Sequence, residues 1–160
     1  MRTIVVIGIG QTLRGDDAAG VEAVHLWQSA FPATAGRPEV RVEFSELPGL
    51  GLLDLLDGFD AALLVDAVQG SGPAGTVYHL GPEDLASFAA GSKSAHGWGV
   101  AESLELGRRL NPSLQQIRIR LIGIEVESME LGRALSPAVR EALAPASSAI
   151  EEEVQALLEG

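Results

Sequence analysis

The stretch that decides the fold is Thr3-Ile-Val-Val-Ile-Gly-Ile-Gly-Gln-Thr-Leu-Arg-Gly-Asp-Asp17. Its first half, Thr3 to Ile9, is a continuous apolar run rich in β-branched residues. That is the pattern of a strand buried on both faces of a parallel sheet. The run enters a glycine loop, Gly8-Ile9-Gly10, and the loop closes on two adjacent carboxylates, Asp16 and Asp17. A glycine loop after a first strand is where many α/β proteins hold phosphate, yet two acids there would repel it.

Working outward, short apolar runs alternate with helical patterns. From Asp17 to Ala30 the spacing of Val21, Val24 and Leu26-Trp27 predicts a helix, with Asp16 or Asp17 in the N-cap position and Pro32 beyond its end. Strands are expected at Val40 to Phe44, at Asp60 to Val68, and briefly at Thr76 to Leu80. A further strand is expected at Ile117 to Ile124, where Arg alternates with Ile and Leu as on a wetter face or an edge. Leu47 to Leu56 reads as a glycine turn and a short helix, Gly81 to Lys93 as a short helical turn and a mobile loop. Gly99 to Leu110 reads as a helix ended by Asn111-Pro112. Ser136 to Leu158 reads as an amphipathic acidic helix with Ser136 as its cap, Pro137 in its first turn and Glu151-Glu152-Glu153 on a solvated face.

This order predicts an α/β fold: a three-layer α/β/α sandwich around a mostly parallel five-stranded twisted sheet with one short antiparallel strand. One domain is expected to span residues 1–160. Hydrophobic residues make up 46% and aromatics only 4%, so the core is aliphatic. No apolar run reaches membrane-spanning length and no signal peptide opens the chain, so a cytoplasmic protein is expected. The absence of cysteine removes disulfides, thiolate nucleophiles and thiolate metal ligands. A net charge of −11, with its basic residues scattered, argues against nucleic acid.

Both nucleotide readings of the loop fail on chemistry. The dinucleotide fingerprint requires a third glycine where Leu13 stands. Gly10 to Gly15 reproduces P-loop spacing, but Asp16-Asp17 occupy the places of the Lys and Ser/Thr. Ligands of α/β sheets gather outside the carboxyl ends of the strands, where Asp17 and Asp66 are both expected. His96, framed by Ser94-Ala95 and Gly97, is the third candidate. Two carboxylates and an imidazole form a mixed oxygen and nitrogen set suited to zinc, nickel, manganese or iron. The plainer alternative is that the acids cap a helix and end a strand and that His96 caps a helix. His25 and His79 are read as structural, Trp27 and Trp98 as core or rim packing. Ser94 has no nucleophile elbow around it.

Taken together, "GIGQTLRGDDAAGVEAV", "ELPGLGLLDLL", "LLVDAVQGSGPAGTV" and "SAHGWGV" resemble, in order and spacing, the hydrogenase maturation proteases. The resemblance covers about residues 1–155. It implies an endopeptidase that removes a short C-terminal extension from a nickel–iron hydrogenase large-subunit precursor after nickel insertion. It also carries the family's metal-contacting residues to Asp17, Asp66 and His96, with Asp16 a supporting or capping neighbour. The nickel would arrive in the precursor, with zinc or another divalent ion possible at rest. The expected partner is the nickel-loaded precursor, with no nucleic acid or membrane, and the enzyme would act as a monomer. This chain departs from the pattern at Gln11, where the family has Asn, at Ala18, where it has Gly, and at Ser94-Ala95-His96-Gly97, where it has Ser-Pro-His-Gln. A different large subunit as substrate fits these departures. The remaining alternatives are a metal-dependent peptidase or amidase with another substrate, a catalytically silent docking or metal-sensing module, and a degenerate nucleotide binder.

Overall fold

A computed structural model describes residues 2–46, 50–69, 72–81, 84, 93–94, 100–127 and 134–160. The chain runs through β1 (Ile4–Ile9), a 3₁₀ turn (Gly15–Ala18), α1 (Ala19–Ala30), a single turn α2 (Pro32–Ala35) and β2 (Val40–Ser45). It continues through α3 (Leu50–Leu56), β3 (Ala61–Gln69), β4 (Val77–Leu80), the two-residue β5 (Lys93–Ser94) and α4 (Val100–Leu110). A second 3₁₀ turn (Pro112–Gln116), β6 (Arg118–Glu125) and α5 (Pro137–Glu159) complete it.

The sheet order is β2-β1-β3-β6-β4. β2, β1, β3 and β6 are parallel, and β4 runs antiparallel to β6. Those five strands match the sequence expectation. β5 is an addition, paired antiparallel with the last residues of β3 through Val68–Ser94 and Gln69–Lys93. Two residues carry no periodicity, so no pattern could have announced it. β6 lies between β3 and β4, so its arginines do not mark an edge. Arg120 instead spends its guanidinium on Glu153, 3.1 Å away on α5.

The continuous apolar strands earn their composition by being covered on both faces: every residue of β1 is buried, as is all of β3 but Gln69. Alternation sends Ile4 and Val6 to the core shared with α1 and α5, and Val5, Ile7 and Ile9 to the core shared with α3 and α4. The result is the expected three-layer sandwich. Among the described residues, no helix is long and apolar enough to cross a membrane.

The expectation of a solvated acidic face on α5 is corrected at Glu151 by its packing against α1 and α2, and at Glu153 by its packing against the sheet. Glu151 is not on a solvated face: it accepts from the Trp27 indole N–H at 2.8 Å, the Thr34 hydroxyl at 2.7 Å and the Gln155 amide at 2.9 Å. Burial alone would raise its pKa, but these three donors outweigh burial and hold it below the usual carboxylate range. Glu153 is buried too, gripped by Arg120 and by His79 Nδ1 at 3.1 Å. His79 is structural, as expected. His25 stacks on Phe44 with ring centroids 4.5 Å apart.

Candidate active site at the carboxyl rim of the sheet

The rim is built by two close backbone approaches that only glycine permits. Gly10 has φ +147°, and a Cβ there would run into the carbonyl oxygen of Asp17. The chain leaving β1 therefore doubles back on itself, with the Gly10 N–H donating to Ser45 O at 2.9 Å. Gly20 seats the first turn of α1 directly on the strand ends. A Cβ there would lie 2.7 Å from Ile9 O and closer still to Val65 O, the residue before Asp66. These contacts press the 3₁₀ turn that carries Asp17 onto β3, the strand that carries Asp66.

Asp66 occupies a gap in the ladder. The β1–β3 pairing ends at Gly8–Val65, whereas β6 continues alongside with Gly123 opposite Asp66. On the β1 side the sheet resumes only at Val68, where β5 has taken over. Asp66 thus stands where β1 has turned away into the glycine loop. Its parity with Ala62 and Leu64 places it on the sheet face covered by α3 and α4.

Asp16 and Asp17 share no role. A 3₁₀ turn has three residues per revolution, so neighbouring side chains diverge by a third of a turn. Asp17 points back into its loop, where Oδ2 accepts from the Gln11 N–H at 3.0 Å. Asp16 turns the other way and accepts from Glu127 N at 2.9 Å, Ser136 N at 2.7 Å and Ser136 Oγ at 2.8 Å. Neither acid caps a helix through its side chain, and Ser136 does not either, because its hydroxyl is committed to Asp16. All three acids are sealed from solvent: Asp16 is 0% exposed, Asp17 1% and Asp66 1%.

Carboxylates withdrawn from water are held by hydrogen bonds or by positive charge. The described donors are carboxylates and include no thiolate, which fits a borderline or hard divalent ion and equally fits acid–base chemistry. The third predicted residue, His96, lies outside the described residues, as does Trp98. Among the described residues, no cluster of three or more His, Asp or Glu is arranged to hold a metal ion.

One rim acid escaped the sequence reading. Glu125, at the end of β6, is 3% exposed and pairs with Val68, two residues beyond the Asp66–Gly123 pair and on the same face. Its Oε1 accepts from the Tyr78 hydroxyl at 2.8 Å. Burial and the adjoining Glu125 carboxylate push the Tyr78 phenol above its usual pKa. The available signal was "IGIE", a second apolar strand ending in an acid beside "LLVDA".

A mostly parallel sheet covered on both faces, with acids sealed at its carboxyl rim, defines an α/β protein whose polar groups gather at the strand ends. A family model described as hydrogenase maturation protease matches residues 47–153. The chain belongs to that family, a family of peptidases. It is similar to the hydrogenase expression/formation protein HupD of Thiocapsa roseopersicina, with 30% identity over 145 residues, covering 89% of this chain and 63% of HupD. This chain therefore spans less than two thirds of that relative. Among solved structures it is similar to the [NiFe] hydrogenase maturation protease HybD from Thermococcus kodakarensis, with TM-score 0.77, 26% identity and coverage of 96% and 99% of the two chains. The hydrogenase maturating endopeptidase HybD from E. coli gives TM-score 0.76 at 25% identity, covering 97% and 93%.

Proposed function

We propose that this chain is an endopeptidase that removes the C-terminal extension of a nickel–iron hydrogenase large-subunit precursor after nickel has been inserted. Asp17, Asp66 and His96 meet the nickel carried by the precursor, and they accept zinc or another divalent ion at rest. The enzyme acts in the cytoplasm, as a monomer whose rim stays open to a large protein substrate, and the reaction is of the aspartic type. The observation that carries this reading is the pair of sealed acids, brought to one rim by the 3₁₀ turn after β1 and by β3, in a chain of the maturation protease family.

The chain's own groups fit the steps of peptide hydrolysis. A carboxylate can take a proton from water as it attacks the scissile carbonyl and return it to the leaving amine. Asp17 suits that task because the Gln11 N–H fixes one of its oxygens and so the plane of the carboxylate. The nickel in the precursor would supply charge to polarise the carbonyl. His96 belongs to the set by its place in the chain: it follows Ser94 by two residues, and Ser94 is paired with Val68, itself two residues past Asp66. Until a cation arrives, the acids repel other anions, so a nickel-bearing precursor is preferred over an empty one.

The test is intact-mass analysis of large-subunit precursors incubated with the purified protein, each with and without nickel. Loss of a defined C-terminal peptide from the nickel-loaded form alone is expected. Absence of cleavage for every loaded precursor would overturn the assignment in favour of a docking module or a peptidase with another substrate.

A further inference from the structure

We infer that Asp16 is a positioning residue, whose three inward hydrogen bonds set the placement of Asp17. The inference rests on the reading of Asp17 as a reacting group for its kinetic consequence, though not for its structural one. Asp16 is fully buried, and both of its oxygens are occupied: Oδ1 accepts from Ser136 N, and Oδ2 accepts from Glu127 N and Ser136 Oγ. These donors come from just past β6 and from the residue before α5, 111 and 120 positions along the chain from Asp16. The turn therefore has a fixed anchor on the body of the protein, one residue from Asp17.

Within the loop, Asp17 N donates to Arg14 O at 3.1 Å and Arg14 N to Gln11 O at 3.2 Å, both local bonds. The bond from Gln11 N to Asp17 Oδ2 closes the loop on itself without tying it to another element. Asp16 thus ties the rotational setting of the turn to the body of the protein, and the divergence of neighbouring side chains on a 3₁₀ turn converts that setting into the direction of Asp17. A carboxylate is required at 16. In Asn, one of the two positions becomes an NH2 group, which would face a backbone N–H of Glu127 or Ser136 and oppose donor to donor.

The experiment compares the wild-type chain with Asp16→Asn, at a temperature where circular dichroism shows both fully folded. Amide hydrogen exchange is followed by NMR at Gln11, the reporter of the Asp17 side chain, and at Val5 and Ile7 in the sheet. Protection at Gln11 is expected to collapse in the variant while Val5 and Ile7 stay protected. Turnover of a cleavable precursor is expected to fall about 100-fold with KM little changed, the cost of misplacing a reacting group by about 1 Å. Unchanged Gln11 protection in a folded variant would overturn the inference, as would a fall in protection shared equally by all three amides. Should Asp16→Asn not fold, Ser136→Ala removes one of the three bonds and is expected to shift Gln11 exchange in the same direction, and no selective shift there overturns the inference too. If the wild type cleaves no precursor, the proposed function fails while the exchange result still decides the role of Asp16.

Discussion

Asp66 stands among backbone that the fold fixes: Val65 under α1, Gly123 across the ladder, and the place that β1 has vacated. Its backbone is therefore set by the sheet itself. Asp66→Asn conserves shape and relieves charge on a crowded acidic rim, so the variant should fold as well as the wild type or better. On the proposed function, in which Asp66 meets the substrate's nickel, processing should nevertheless fall by about 100-fold or more. Thermal melting and precursor cleavage measured on one preparation would check both halves, and normal cleavage would remove Asp66 from the set. At this scale the positions of Asp17 and Asp66 were legible because strand ends and glycine loops are local features. The partners of Asp16 were not, since Glu127 and Ser136 are brought to it only by the completed fold.

Among the elements, the contact between α1 and α5 is organised around one carboxylate. Glu151 gathers the Trp27 indole N–H, the Thr34 hydroxyl and the Gln155 amide. Its pKa is held below the usual value, so the sign follows: these bonds stabilise the fold above the unfolded-state pKa, and that contribution is lost as pH falls through the lower folded-state pKa. Stability measured by denaturant between neutral pH and pH ~3 should decline in the wild type, and Glu151→Gln should flatten part of that decline. Glu151→Ala should cost about 1–3 kcal/mol at neutral pH, because it orphans the donor of the fully buried Trp27. An acidic run on a helix says nothing of which neighbours will press on it, so "EEE" read as a solvated face. Its helix, by contrast, was legible from Ser-Pro and the apolar period, within a residue or so of Pro137–Glu159. The strands β1 and β3 were legible for the same reason, composition and period being local. β5 and the single turn α2 are too short to have a period at all.

For the molecule as a whole, the sheet assembles from distant parts. β1 pairs with β3 across more than fifty residues, and β3 with β6 across as many again. Such non-local pairing makes folding slow, and the bonds that reach Asp16 span 111 and 120 positions. Pulse-labelling exchange during refolding should therefore show Val5 and Ile7 protected before Gln11, and simultaneous protection would argue against a rim completed last. The bonds to Asp16 also have a meaning on the ribosome. A nascent chain that has emerged as far as β3 already contains Asp17 and Asp66, yet the residues that anchor the turn of Asp17 have not been made. Translation thus delivers the rim acids early and the fastening of the Asp17 turn late, so a half-made copy holds Asp17 without the means to aim it.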